Sequence, residues 1–212
     1  MEVLVDSSRR GGATVAVWTL TRTVLETLGR VNYLLDAEDD LDFLTRHVAL
    51  ICGEMQHAKH GTQIVRGVGR LNVDEYRSSL KLMIQEIGGT ALRAPSYTTL
   101  ATNLLEDAAP GNGSRMRYSQ LSGVAHGELT ALQMFATDDD LVLPRALLVE
   151  AAHMVCAASI LVGDKLCEAT VLPGSPVATR WIAIRNGALS AAFALQPGGG
   201  PETDLNATVT QD

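Results

Sequence analysis

Polar and apolar positions along this chain follow a helical period almost from end to end. Apolar residues recur three and four apart rather than at alternate positions, the spacing of helices that each bury one face. After a glycine pair at Gly11 and Gly12, the residues Val17, Val24, Leu28, Val31 and Leu35 recur at heptad-like intervals. They predict a first helix from about Thr14 to Leu35 with that stripe toward a core. A second helix is predicted from Asp39, which can cap it while Asp40 and Asp42 sit at the positive end of its dipole. Leu41, Leu44, Val48, Ile51, Cys52 and Met55 form its buried face, and Gly61 can end it. A third helix reads from Val73 to Ile87, opened by Asn72 with Glu75 and closed by Gly88 and Gly89.

Beyond a proline-containing connection come a shorter helix, Tyr97 to Asp107, the turn-rich Pro110 to Gly113, and a helix from Ser114 to Phe135. An acidic loop ends at Pro144, where a long apolar helix begins and runs to Thr170. The last helix opens with Ser175 as cap and Pro176 at its first position and continues to about Leu195. The pattern therefore implies a loose leader over 1–12, one all-α domain over 13–196, and a disordered tail over 197–212 rich in Pro, Gly, Asp and Thr. The domain is expected to be a bundle of six to seven helices with an antiparallel core.

Composition agrees with one buried core: 46% of residues are apolar and 19% charged, within the globular range. The net charge of −7, with acids clustered at Asp36 to Asp42 and Asp138 to Asp140 and no basic stripe, argues against broad nucleic-acid binding. Cys52, Cys156 and Cys167 lack the paired spacing of a zinc site or a secreted scaffold, which suits a reducing cytoplasm. No charged-then-apolar leader opens the chain, so a signal peptide is not expected. The most apolar run, Ala146 to Gly163, carries Glu150 and His153 and reads as a core helix rather than a membrane span.

Three constellations carry possible chemistry. Two Glu-x-x-His motifs, Glu54 to His57 and Glu150 to His153, have the spacing that di-iron carboxylate bundles use, and Glu26 and Glu128 could complete an iron site for a di-metal oxidase. Helical phase opposes this: at about 100° per residue, His57 points nearly opposite Leu44, Val48 and Met55. Glu150 and His153 share a face with Asp164 and Glu168 that reads as solvated. Asp36, Asp39, Asp40 and Asp42 resemble the aspartate-rich diphosphate motif of terpenoid-type cyclases, which would make the chain a cyclase or a binder of apolar ligands. Helix capping explains the same acids, and no second metal-binding segment follows. No cofactor is expected on the preferred reading.

The third constellation joins two helices. Tyr118, Ser122 and His126 lie four apart along one line, with Tyr118 toward the apolar stripe of Leu121, Ala125, Leu129 and Leu132. On the first helix, Trp18, Arg22, Glu26, Gly29 and Tyr33 form a second face, where Arg22 and Glu26 are an opposite-charge pair one turn apart. These two lines are expected to meet across a helix interface and enclose a small polar pocket that makes Arg22, Glu26, Tyr118, Ser122 and His126 the candidate site. A buried ion pair that fixes helix register would use the same residues.

The segments Trp18 to Glu26 and Tyr118 to Gly127, the latter containing Tyr-x-x-Leu-Ser-x-x-x-His, resemble bacterial all-helical proteins similar to the HEPN superfamily. The resemblance covers about the middle two-thirds of the chain. It implies a small helical bundle, a homodimer, and a ligand related to RNA or nucleotides. HEPN ribonucleases place a His four to six residues after an Arg, whereas eight residues separate Arg117 from His126 here. The resemblance therefore implies a binding or regulatory member more than a nuclease.

Overall fold

A computed structural model of the chain describes residues 2–59, 61–66, 69–90, 93–111, 113–128 and 142–194. Among these residues there are seven α-helices and one short hairpin: α1 (Glu2–Leu35), α2 (Asp40–Glu54), a 3₁₀ turn (Met55–His57), β1 (Gln63–Arg66), β2 (Gly69–Asn72), α3 (Val73–Glu86), α4 (Tyr97–Ala108), α5 (Ser114–Ala125), α6 (Val142–Thr170) and α7 (Pro176–Ala194). The all-α expectation holds. The boundaries follow from capping chemistry, because the first N–H groups of a helix need acceptors from outside it. Asp39 Oδ1 accepts from Asp42 N at 2.7 Å, Asn72 Oδ1 from Asp74 N at 2.9 Å, Ser96 Oγ from Thr99 N at 3.1 Å and Ser175 Oγ from Ala178 N at 3.2 Å.

The bundle is organised around α1, which packs on α4, α5 and α6, while α7 lies on α6 and α3 on α2. The core joins Trp18 and Leu25 of α1 to Leu104 of α4, Tyr118 and Leu121 of α5, and Met154 of α6. On α6 the buried positions Leu147, Ala151, Met154, Ala158 and Val162 form one stripe three and four apart. That helix is long and apolar enough by length and composition to cross a bilayer. Its stripe faces the core.

The phase of α1 differs from the heptad reading. Its buried face is Trp18, Thr21, Leu25, Gly29 and Asn32, whereas Val17 and Val24 are each 37% exposed and Leu20 is 64% exposed. Two features decide the orientation. The Trp18 indole N–H donates to the Leu147 carbonyl at 3.1 Å, and a Cβ at Gly29 would lie 2.8 Å from the Leu100 carbonyl atoms, so α4 can approach only a glycine there. Leu28, Val31 and Leu35 pack at the margin of the core.

Three helix boundaries move. Helix α1 starts at Glu2, through the stretch expected to be a loose leader, because a glycine costs a helix only about 1 kcal/mol relative to alanine. Helix α2 stops at Glu54 rather than near Gly61, and the antiparallel pairing of Gln63 with Asn72 through Arg66 with Gly69 follows. Gln-Ile-Val-Arg does not alternate polar and apolar residues and Gly-Arg-Leu-Asn holds a single apolar side chain, so no period-two pattern marks these strands. Helix α5 ends at Ala125 rather than Phe135. There Gly127 takes φ 69°, its N–H bonds Val124 O at 3.1 Å, and Glu128 N–H bonds Gly123 O at 2.9 Å, the paired closure of a helix end in which glycine supplies the left-handed residue. The expected loop at Asp138 to Asp140 and the expected tail at 197–212 lie outside the described residues.

Candidate functional site

The crossing of α1 and α5 brings four of the five predicted site residues together. Tyr118, buried in the core, donates its hydroxyl to Glu26 Oε1 at 2.5 Å. The same oxygen accepts from Arg22 Nε at 2.8 Å, one turn back along α1. Arg22 Nη1 lies 3.2 Å from His126 Nε2. Arginine has no acceptor, so it is the donor and His126 Nε2 the acceptor, which puts the ring proton on Nδ1. His126 reaches Arg22 because it caps α5 rather than continuing it. Ser122 does not join by its side chain; its carbonyl accepts the His126 N–H at 3.0 Å and so fixes the cap.

The network is graded from interior to water. Side-chain exposure is 21% for Arg22 and 20% for Glu26, while His126 is exposed. Burial pushes the Tyr118 phenol above its usual range, and the bond to the Glu26 carboxylate acts in the same direction. Burial opposes the charge on Arg22, but its contacts with Tyr118 and Glu26 outweigh that and hold the guanidinium above its ordinary value. The tyrosine thus stays a donor and the arginine a cation at neutral pH. Thr98, in the first turn of α4, also reaches the Tyr118 hydroxyl.

Arg22 faces a second feature, a cleft of about 730 Å³ bounded by α2, α3, residues 93–96 and the start of α4. Among the described residues four cations line it, Arg22, Arg77, Lys81 and Arg93, with one carboxylate, Glu54. That carboxylate is held by Arg30, whose guanidinium also covers the Tyr97 ring at 5.6 Å. Arg77 pairs with Asp74 at 3.2 Å. Lys81 and Arg93 have no carboxylate partner among the described residues. Cys52 also lines the cleft; burial raises its thiol pKa, against the pull of Lys81 and Arg77. Sequence reading saw no basic stripe because only Arg77 and Lys81 are neighbours, four apart on α3, and Arg22 and Arg93 join them only when the helices pack.

The residues of the di-metal alternative are dispersed. Glu26 belongs to the network above, Glu54 pairs with Arg30, and Glu150 lies 3.4 Å from Arg117. Glu128 is exposed beyond the end of α5, His153 is half-buried on α6, and the His57 side chain lies outside the described residues. Among the described residues no three His, Cys, Asp or Glu side chains are grouped to hold a metal ion. The face of α6 read as solvated is partly covered. Asp164 accepts the Trp181 indole N–H at 2.8 Å and lies 3.2 Å from Arg185 Nε, and the Trp181 ring sits where a Cβ on Gly163 would be.

The aspartates of the cyclase alternative serve the fold. Asp39 caps α2, and Asp36 takes Lys165 at 2.5 Å. Asp42 pairs with Arg46 at 2.8 Å, which holds its carboxyl below the usual range together with the Glu38 N–H. Comparison of the chain with protein-family models, curated proteins and solved structures returned no match.

Proposed function

We propose that this chain is a HEPN-like helical protein with a binding or regulatory role, and that Arg22, Glu26, Tyr118 and His126 form its site for a ligand related to RNA or nucleotides. The observation that carries the reading is the position of Arg22. It is tied to Glu26 and His126 across two helices and faces an open cleft, so a ligand phosphate can reach a guanidinium already fixed in place. Binding suits the geometry better than proton transfer, since the His126 Nε2 lone pair is occupied by Arg22 and a general base needs it open. The Tyr118 to His126 segment that resembles HEPN proteins supplies half of the network. A cytoplasmic place agrees with three free cysteines. Self-association belongs to the same reading and is supported by Val17, Leu20 and Val24, apolar and exposed on one side of α1.

Fluorescence anisotropy with a labelled 5′-phosphorylated RNA hexamer and with a labelled nucleoside triphosphate tests this. At least one probe should bind, Arg22→Ala should weaken it by about tenfold, the loss of one charge-assisted contact, and the RNA should remain intact on a gel. Absence of binding to both probes, or RNA cleavage that disappears in His126→Ala, would overturn the reading.

A further inference from the structure

The cleft is electrostatically unlike the rest of the molecule. The chain has 24 acidic and 17 basic residues, so an average surface concavity should be lined mainly by carboxylates or by ion pairs. Here Arg22, Arg77, Lys81 and Arg93 line one concavity; Arg22 and Arg77 are paired with Glu26 and Asp74, and the one lining carboxylate among the described residues, Glu54, is held by Arg30 from outside the lining, which leaves Lys81 and Arg93 as the cations that no carboxylate offsets there. Like charges gathered in a cleft repel each other, and walls of low dielectric strengthen that repulsion. A bound polyanion offsets this repulsion. Two of the cations, Lys81 and Arg93, come from different elements, α3 and the segment before α4, and neither is engaged by a carboxylate among the described residues.

Three further observations narrow the ligand. The volume of about 730 Å³ lies within the range of small-molecule sites and far below what a duplex or a folded partner requires. Helix α4 begins in the wall at Tyr97, so the positive end of its dipole lies at the cleft, beside the Thr98 and Thr99 hydroxyls. The Tyr97 ring, braced on one side by Arg30 and 42% exposed, gives the cleft one apolar wall among cationic ones. A ligand that uses all of these is compact, carries several negative charges at one end and has a flat apolar part at the other.

We infer that the cleft between α2, α3 and the start of α4 binds a nucleoside polyphosphate, with Lys81 of α3 and Arg93 of the segment before α4 holding its phosphates and Arg22 joining them from the network. This deepens the reading given under Proposed function and rests on it, because Arg22 is shared by the two.

Isothermal titration of the full chain with a nucleoside triphosphate, inorganic tripolyphosphate and the free nucleoside tests the inference. Variants Lys81→Met and Arg93→Met keep the aliphatic stems, and circular dichroism verifies that they fold. The triphosphate should bind, tripolyphosphate should compete with it, the nucleoside alone should not bind, and each variant should weaken binding by about tenfold. Triphosphate affinity unchanged in both variants but lost in Arg22→Ala removes the cleft while leaving the network reading intact. Affinity lost in both variants but unchanged in Arg22→Ala keeps the cleft and removes the network from ligand binding. No heat and no competition with either polyphosphate at roughly 1 mM, a limit of weak binding, overturns the inference; RNA bound by the same preparation shows that the broader reading survives it.

Discussion

Glu26 Oε1 holds two donors at once, the Tyr118 hydroxyl and Arg22 Nε, and this sharing makes the site sensitive to single atoms. Tyr118→Phe keeps the buried ring and removes one donor to a carboxylate, so it should lower stability by about 1–2 kcal/mol in urea denaturation. The same hydroxyl gives a pH signature. Burial and Glu26 raise its folded-state pKa above the usual phenol value of about 10. Above that value the unfolded chain releases a proton that the folded chain keeps. The contribution of Tyr118 is therefore complete below about pH 10 and is lost as pH rises through the folded value. Tyr33, also raised by burial, adds in the same direction, so the measurement is the difference between wild type and Tyr118→Phe, which should show the shallower alkaline decline. That four of the five candidate residues lie together was legible beforehand because offsets of four and eight along helices fix a common line. The hydroxyl of Ser122 lies outside the network because the chain turns at His126. The cations Lys81 and Arg93 were not legible, since no local spacing relates them.

At the scale of elements, helix crossings depend on missing side chains. A methyl group on Gly29 would meet the Leu100 carbonyl at 2.8 Å, so Gly29→Ala should destabilise the fold by about 1–3 kcal/mol, the range for overpacking, as read from the denaturation midpoint. Gly127→Ala tests a different device. Its φ of 69° costs an L-residue about 1–2 kcal/mol, and because this glycine closes the helix beside His126, the substitution should weaken ligand binding as well as stability. The starts of α2, α3 and α7 were read well from the sequence because Asp39, Asn72 and Ser175 mark them chemically, whereas that of α1 was not. Helix ends and facing were read less well. The heptad stripe of α1 was right in its second half, where Leu28, Val31 and Leu35 meet the core margin, and wrong at Val17 and Val24, where the Trp18 indole hydrogen bond and the Gly29 contact set the facing.

For the molecule as a whole, an acidic chain with a cationic cleft and an apolar flank on α1 presents three separate surfaces. If the flank joins two copies, sedimentation velocity should show a dimer, and Leu20→Glu, at a position 64% exposed, should convert it to monomer without loss of helicity. An unchanged sedimentation coefficient in that variant would remove the flank from the interface. The two indoles also give the protein built-in optical reporters at different depths. Trp18 is sealed in the centre against Leu147 O, whereas Trp181 anchors α7 through Gly163 and Asp164. On gradual heating, emission from a Trp18→Phe variant should redden at a lower temperature than emission from a Trp181→Phe variant, because the outermost helix peels away while the centre is still dry.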